Sequence, residues 1–235
     1  MTRSIPSLTT AQMAEVDRLM IEDFGIQLIQ MMENAGRNLA EQARRMLDGK
    51  LAGRKIVVLC GAGNNGGGGM VTARHLHNRG AELRVKFVGD PARLGNTPAH
   101  QWRILKAMGL ATNDDPILAQ TDLIVDALIG YGLTGDPRGP VAEWIERATT
   151  ANRPILALDA PSGLDTTTGI PGQPCIRATA TLTLALPKVG LLVPSAWAFV
   201  GDLYLADIGV PPELYQRMGI EVGPLFGDDT LIRVS

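Results

Sequence analysis

The sequence predicts an α/β fold in which helices cover both faces of a mostly parallel sheet. Short apolar runs rich in β-branched residues, such as 56–60, alternate with segments whose apolar residues recur at helical spacing. A strand that is apolar throughout suits a parallel sheet, because crossover helices bury both of its faces. Neither a repeat nor a linker of low complexity divides the 235 residues, so we expect a single domain over 1–235.

Composition excludes several classes of protein. With 45% hydrophobic and 20% charged residues and a net charge of −2, the chain resembles an ordinary soluble globular protein. It has no run of five like charges, so neither nucleic acid nor a membrane is expected as a partner. No apolar span approaches the roughly 20 residues of a membrane helix, and the start lacks a signal-peptide core. We therefore expect a cytoplasmic protein.

Two helices are predicted before the first strand. Thr9 and Gln12 have the spacing of a capping box, and apolar residues then recur at helical spacing until Gly25. A second helix is predicted from apolar residues that recur at helical spacing between Leu28 and Met46. Its apolar stripe has no evident partner ahead of the first strand, and it consists of Leu28, Met32, Ala35 and Leu39. Because such a face is often covered by a second copy, we expect a homodimer.

The remaining elements alternate along the chain. Strands are predicted at 56–60, 83–88, 123–128, 155–158, 180–186 and 203–205. Helices are predicted from Met70, from Thr97 with Pro98 as first residue, and over 140–151. In parallel sheets of this kind, ligands bind beyond the carboxyl ends of the strands.

A glycine-rich segment separates the first strand from the following helix. Six glycines and two asparagines lie between Cys60 and Met70, and Gly61, Gly63 and Gly66 satisfy G-x-G-x-x-G. Glycine permits positive φ and close approach of a ligand, so backbone N–H groups here could bind a phosphate. No Gly-Lys-Ser/Thr follows, which excludes a P-loop. The alternative is a flexible turn that binds nothing.

Acidic residues near the predicted strand ends suggest cation binding or proton transfer at the carboxyl edge of the sheet. Asp126 lies inside an apolar run, where an ionised carboxylate needs a partner. It either caps backbone N–H groups or, with Asn65 and Ser162, binds a hard cation such as K⁺, Na⁺ or Mg²⁺. Asp159 follows a strand just before Pro161, where partial burial can tune a carboxylate for proton transfer. Its alternative role is to form a turn.

Six motifs together resemble the NAD(P)H-hydrate epimerase family, the YjeF N-terminal domain family. They are Met-Glu-Asn-Ala-Gly (32–36), Gly-x-Gly-Asn-Asn-Gly-Gly-x-Gly (61–69), Val-Asp-Ala-Leu-Ile-Gly-x-Gly (125–132), Asp-x-Pro-Ser-Gly-Leu-Asp (159–165), Pro-Lys-x-Gly-Leu-Leu (187–192) and Val-Gly-Asp-Leu-Tyr (200–204). The match runs from about Leu8 to Pro211 in order and in spacing. It implies a Rossmann-like α/β/α sandwich in the stand-alone form, without the dehydratase of bifunctional relatives.

The resemblance also implies an activity and a set of site residues. The activity is interconversion of the R and S epimers of hydrated NADH and NADPH. A K⁺ ion would be held by Asn65, Asp126 and Ser162. The substrate would contact Asn64, Asn65, Gly66, Gly67, Gly68, Gly130, Tyr131, Gly132, Leu133, Thr134, Gly135, Asp136 and Asp159.

The reaction requires proton transfer at one carbon atom. Loss of the hydroxyl at C6, next to the ring nitrogen, leaves an iminium that water can attack from either face. We expect Asp159 to act as both acid and base, and Lys188 to keep it ionised or to orient it.

The chain departs from the family pattern at Gly68, where an aspartate is usual. An acid in the first turn of a helix is favoured by the dipole, so Gly68→Asp is expected to stabilise the protein by about 0.5 to 1.5 kcal/mol. This departure supports an alternative hypothesis, in which the protein is a nucleotide-binding or scaffold module that has lost catalysis. A third hypothesis is an NAD-dependent dehydrogenase, which would need an acid such as Asp90 after the second strand to bind the ribose.

Overall fold

A computed structural model describes residues 5–112, 114–227 and 229–234. Its strands are β1 (Lys55–Cys60), β2 (Glu82–Phe87), β3 (Leu123–Ala127), β4 (Ile155–Leu158), β5 (Ala180–Leu184), β6 (Asp202–Ala206) and β7 (Leu231–Arg233). They form one sheet in the order β2-β1-β3-β4-β5-β6-β7. Every neighbouring pair is parallel except β6 with β7. The predicted α/β class and mostly parallel sheet are confirmed.

Seven α-helices accompany the sheet within the described residues. They are α1 (Thr10–Glu22), α2 (Leu28–Met46), α3 (Asn64–Asn78), α4 (Asn96–Ala107), α5 (Gly139–Thr150), α6 (Trp197–Val200) and α7 (Pro212–Arg217). The capping box of α1 is confirmed. The backbone N–H of Gln12 donates to Thr9 Oγ1 at 3.2 Å, and that of Thr9 donates to Gln12 Oε1 at 2.8 Å. None of the helices in the described ranges has the length and apolar content to cross a bilayer.

The apolar stripe of α2 packs inside its own chain. Met32, Ala35 and Leu39 are all at least 96% buried. A Cβ atom on Gly67 would lie 2.7 Å from Met32 Cε, so α2 and α3 are in close contact. The stripe therefore has a partner within the subunit, and it no longer argues for a homodimer.

Helix α3 begins at Asn64, six residues before the predicted start at Met70. The glycines between these positions are helical, and none of them has a positive φ. They are needed for close packing instead. A Cβ atom on Gly66 would lie 1.9 Å from the carbonyl oxygen of Gly61, and one on Gly69 would lie 2.5 Å from Ala127 Cβ. Packing against β3 and the preceding turn thus offsets the low helix propensity of glycine.

Other boundaries also differ from the predictions. Helix α4 starts at Asn96 with Gly95 as its N-cap, which places Pro98 third rather than first. Proline is tolerated there because the first four N–H groups of a helix have no intrahelical partner. Strand β5 ends at Leu184, and Ala185 follows with a φ of 63°. Helices α6 and α7 and strand β7 were not predicted.

A short pairing brings the start of the chain to the carboxyl edge of the sheet. The backbone N–H of Leu8 donates to the carbonyl of Pro187 at 2.8 Å, and that of Val189 donates to the carbonyl of Leu8 at 2.9 Å. Leu8 thereby forms a parallel bridge with Lys188. Helix α1, which follows directly, is held beside the loops that leave β3 and β4.

Candidate functional site

A cavity of about 520 Å³ lies at the carboxyl ends of β1, β3 and β4. This volume is within the usual range for small-molecule sites. Its wall combines the start of α3, the turn after β3, the end of β4 and the inner faces of α1 and α2. The predicted site residues that line it are Asn64, Asn65, Gly68, Gly130, Tyr131, Gly132 and Asp159.

Asp159 is fixed at the wall of this cavity in a left-handed backbone conformation. Its φ is 67°, and the residue is 97% buried. Lys188 Nζ donates to its Oδ1, and the backbone N–H of Tyr131 donates to its Oδ2 at 3.0 Å. A non-glycine residue in this conformation costs of the order of 1–3 kcal/mol and persists only where its surroundings hold it. The side chain is therefore presented to the cavity by the fold.

Lys188 supports Asp159 from behind the cavity wall. Its side chain is fully buried. Besides Asp159, the ammonium group donates to the carbonyl of Leu184 at 3.0 Å and to Thr183 Oγ1 at 3.2 Å. All three N–H groups therefore have acceptors. Lys188 does not line the cavity, so its role toward a ligand is to position and charge-balance Asp159.

Asp126 is completely buried beneath the same edge. Its Oδ1 accepts from Ser162 Oγ at 2.6 Å and from the backbone N–H of Leu128 at 3.2 Å. Its Oδ2 accepts from the backbone N–H of Ser162 at 2.8 Å. Burial raises the pKa of Asp126 to about 6, and the hydrogen bonds from Ser162 and Leu128 only partly oppose that rise. The alternative in which Asp126 caps backbone N–H groups is thus present in the structure.

The capping bonds do not exclude a cation. A carboxylate has about four lone-pair positions, and Asp126 uses three of them. No lysine, arginine or histidine of the described residues forms an ion pair with Asp126. Asn65 could contribute only its Oδ1 atom to a cation, because its buried Nδ2 atom, which has no hydrogen-bond partner among the described residues, is a donor. The donor set therefore fits a hard cation.

Gly130 allows two polar side chains to approach the same point. A Cβ atom there would lie 3.1 Å from Asn65 Oδ1 and 3.2 Å from Asp159 Oδ2. Any larger residue would push between these oxygens and into the cavity. Glycine at position 130 thus leaves room for these two side chains, and it is not required by the backbone conformation, since Gly130 does not have a positive φ.

Gly66, Gly67 and Gly68 serve different purposes in α3. The first two are buried, and they pack against Gly61 and Met32 without lining the cavity. Gly68 does line it, as the fifth residue of α3, and a Cβ atom there would lie 2.7 Å from Leu158 Cδ2. Because Gly68 is buried and lies beyond the first turn, the helix-dipole argument that Gly68→Asp stabilises the protein does not apply.

The second half of the turn after β3 lies away from the cavity wall. Leu133, Thr134, Gly135 and Asp136 are not among the residues that line it. Asp136 Oδ1 instead accepts from the backbone N–H of Gln173 at 2.9 Å. This bond ties the turn to the loop that follows β4, and it gives Asp136 a structural role.

Asp17 of α1 lines the cavity and was missed by the sequence analysis. Its Oδ2 accepts from the Tyr131 hydroxyl at 2.6 Å. Burial raises the pKa of Asp17, and burial with the neighbouring Asp17 raises the pKa of Tyr131. The available signal was position: Asp17 follows Met13 by four residues and precedes Met20 by three, so it shares their buried face.

Comparison with known proteins gives consistent matches over most of the chain. Residues 28–190 match the family described as YjeF-related protein N-terminus. The chain is 41% identical over 223 residues to NAD(P)H-hydrate epimerase of Dehalogenimonas lykanthroporepellens, covering 93% of this chain and 88% of that protein. It is 41% identical over 217 residues to the bifunctional NAD(P)H-hydrate repair enzyme Nnr of Moorella thermoacetica, covering 88% of this chain and 41% of that protein.

A solved structure has the same fold. The crystal structure of the yeast protein YNL200c matches with a TM-score of 0.83 at 26% identity, covering 98% of this chain and 100% of that one.

Proposed function

The chain belongs to the family of YjeF-related proteins, and we infer that it interconverts the R and S epimers of hydrated NADH and NADPH as a nucleotide-repair isomerase. The observation that carries this inference is Asp159, a buried carboxylate held at the cavity wall by Lys188 and by the backbone N–H of Tyr131. Relatives that this chain covers almost completely are named NAD(P)H-hydrate epimerase.

The geometry suits proton transfer at C6 of the hydrated ring. When the hydroxyl leaves, the neighbouring nitrogen stabilises the iminium that forms, and water then adds to either face. Asp159 exchanges protons with the oxygen that leaves or returns. The Lys188 ammonium balances the charge of Asp159 in a setting where solvent cannot do so. The apolar side chains of α1 and α2 on the opposite wall limit the access of other water molecules.

We also propose that Asn65, Asp126 and Ser162 hold a K⁺ ion. The support is the buried Asp126 carboxylate, which has no ionic partner among the described residues, with the side-chain oxygens of Asn65 and Ser162 as the other donors. A bound K⁺ would supply a positive charge that balances Asp126 beneath the cavity. The protein's own part is to supply oxygen donors and to exclude softer metals, which prefer nitrogen or sulfur.

The two alternative functions, a module without catalysis and a dehydrogenase, have less support. Gly68 favours a nucleotide-binding module without catalysis, whereas the ion pair of Asp159 with Lys188 at the cavity wall supports proton transfer. For a dehydrogenase, Asp90 would have to bind a ribose, yet its Oδ1 accepts from the backbone N–H of Ala92 at 2.9 Å as the cap of a 3₁₀ turn.

A homodimer and a cytoplasmic location complete the proposal. With the stripe of α2 buried, the remaining support for a dimer is the pair Ile21 and Ile29, each 38% exposed, on either side of the loop that joins α1 to α2. The net charge of −2, without basic runs, supports a protein that does not bind nucleic acid.

The direct test uses one purified epimer of hydrated NADH. The wild-type protein is added in potassium buffer, and both epimers are separated by chromatography over time. We expect conversion to the equilibrium mixture faster than in buffer alone. A rate equal to the uncatalysed rate, at enzyme concentrations that bind the substrate, would favour the module without catalysis.

A further inference from the structure

The cavity contains a second carboxylate for which the reaction above has no use. The Tyr131 hydroxyl donates to Asp17 Oδ2 at 2.6 Å, and the backbone N–H of Tyr131 donates to Asp159 Oδ2 at 3.0 Å. One tyrosine therefore links the two carboxylates. All three residues line the same cavity, although Asp17 comes from a helix far from the others in sequence.

The two carboxylates have opposite surroundings. Asp159 forms an ion pair with the Lys188 ammonium. Asp17 has only the neutral Tyr131 hydroxyl as a hydrogen-bond partner among the described residues. Burial is the main cause of its raised pKa, the Tyr131 hydrogen bond opposes the rise, the charge of Asp159 adds to it, and Lys188 opposes it. Such unequal pairs are typical of sites that need an acid and a base together.

An ionised Asp159 can accept a proton but has none to give to a leaving hydroxyl. Its two oxygens are already held by donors, Lys188 and the Tyr131 N–H. Asp17 uses only Oδ2 for its hydrogen bond, so Oδ1 is available to carry a proton. The cavity thus has a proton acceptor, Asp159, on the side of β4 and a candidate proton donor, Asp17, on the side of α1.

We propose that Asp17 is a second catalytic carboxyl group, which protonates the departing C6 hydroxyl while Asp159 takes a proton from the returning water. This inference rests on the proposed epimerase function. Tyr131 is a positioning residue, because it holds one oxygen of each carboxylate through different atoms.

The steps balance in atoms and charge. In the first, the C6–O bond breaks, the nitrogen lone pair forms the C=N bond, and the hydroxyl leaves as water with the proton of Asp17. In the second, a water oxygen bonds to C6 on the opposite face, the C=N electron pair returns to nitrogen, and Asp159 takes the released proton. Solvent then returns one proton from Asp159 to Asp17. The other epimer reacts by the reverse of these steps, which start from the less populated form in which solvent has moved the proton from Asp17 to Asp159.

The test compares Asp17→Asn with Glu22→Gln, a control at the exposed end of the same helix. Asparagine can still accept the Tyr131 hydrogen bond but cannot act as the acid. We expect kcat for a purified epimer to fall by about 10² or more, the usual effect of losing general acid catalysis, with KM changed less than about threefold. Glu22→Gln should match the wild type.

Two further variants separate catalysis from folding. In Asp17→Ala, added formate at mildly acidic pH should restore part of kcat, which a purely structural role would not allow. In Tyr131→Phe, loss of the hydrogen bond that lowers the pKa of Asp17 should move the alkaline fall of kcat/KM to higher pH. Asp159 and Lys188, the other charged groups that face Asp17, are unchanged in this variant.

The outcomes distinguish this inference from the function on which it rests. No turnover by the wild type would overturn the proposed function, and the inference with it. Turnover by the wild type with an equally active Asp17→Asn would overturn only the inference. So would an inactive Asp17→Ala that formate does not rescue, combined with an unmoved alkaline limb in Tyr131→Phe.

Discussion

Lys188 and Asp159 form an ion pair in which neither side chain has more than 4% of its surface exposed. Both groups would be costly to bury alone, so each depends on the other. The pair also joins two segments of the chain, since Asp159 follows β4 and Lys188 follows β5.

Removing only one member of this pair should destabilise the protein strongly. We expect Lys188→Met to lower the free energy of unfolding by roughly 3–5 kcal/mol, because it leaves an uncompensated buried carboxylate. Adding Asp159→Asn to Lys188→Met should recover part of the loss. Urea unfolding of the two single variants and the double variant measures this coupling. Additive losses would show that the two side chains stabilise the fold independently.

Asp159→Asn should slow epimerisation by about 10² to 10⁴ and leave substrate binding nearly unchanged, because it removes the proton acceptor but keeps the shape. The measurement is chromatographic turnover of one epimer, with binding followed by calorimetry. Asp202→Asn, an exposed acid of β6, is the matched control. Unchanged turnover of Asp159→Asn would remove Asp159 from the mechanism.

The pKa of Asp126, about 6 in the folded protein against 3.8 for an ordinary aspartate, predicts a dependence of stability on pH. The folded state binds more protons than the unfolded state between these two values, so stability should fall as the pH rises through this window. Two pKa units correspond to roughly 3 kcal/mol. Thermal unfolding at pH 4 to 8 in tetramethylammonium chloride measures the fall.

A bound K⁺ should reverse this loss, because it binds the ionised carboxylate of the folded protein. Equal concentrations of KCl should raise Tm more at pH 8 than at pH 5. Asp126→Ala should abolish the difference between the two salts. The same Tm in KCl and tetramethylammonium chloride at pH 8 would contradict the K⁺ site.

Gly68→Asp should lower the free energy of unfolding by about 1–3 kcal/mol, because it adds a Cβ atom 2.7 Å from Leu158 Cδ2 and buries a carboxylate. Gly68→Ala adds the Cβ atom alone, so the difference between the two variants measures the effect of burying the carboxylate group. If the usual acid of the family binds a ligand hydroxyl, kcat/KM should nevertheless rise by roughly ten to a hundredfold. An Asp variant as stable as the Ala variant would contradict the desolvation argument.

The proposed homodimer predicts twice the monomer mass in light scattering at tens of micromolar protein. Ile21→Glu should shift that mass toward the monomer if the exposed isoleucines lie in the interface. A monomer mass for the wild type would contradict the dimer.

Local signals predicted much of this structure, and long-range packing accounts for what they missed. The Thr9 and Gln12 capping box depends on neighbours within one turn, so it was found. The helical glycines of α3 were read as a loop because their packing partners, such as Met32 and Ala127, are distant in sequence.

At the candidate site, too, local signals identified some residues and long-range contacts account for those that were missed. Asp159 was predicted because it directly follows a recognisable strand. Asp17 was missed because a single acid on an amphipathic helix usually faces solvent, and only the arrival of Tyr131 gives it a partner.

The pairing of Leu8 with residues 187–189 has a consequence for the order in which the protein is made. A ribosome adds about 180 residues after Leu8 before its partners exist, and domains complete their long-range contacts only after such segments emerge. Until then α1, which carries Asp17, has no strand edge to hold it. Helix α2 can cover part of the apolar face of α1 early, but the rest of that face packs against Leu186, Leu205 and Leu214, which are made much later. The nascent chain should therefore be most prone to aggregate before these residues leave the exit tunnel.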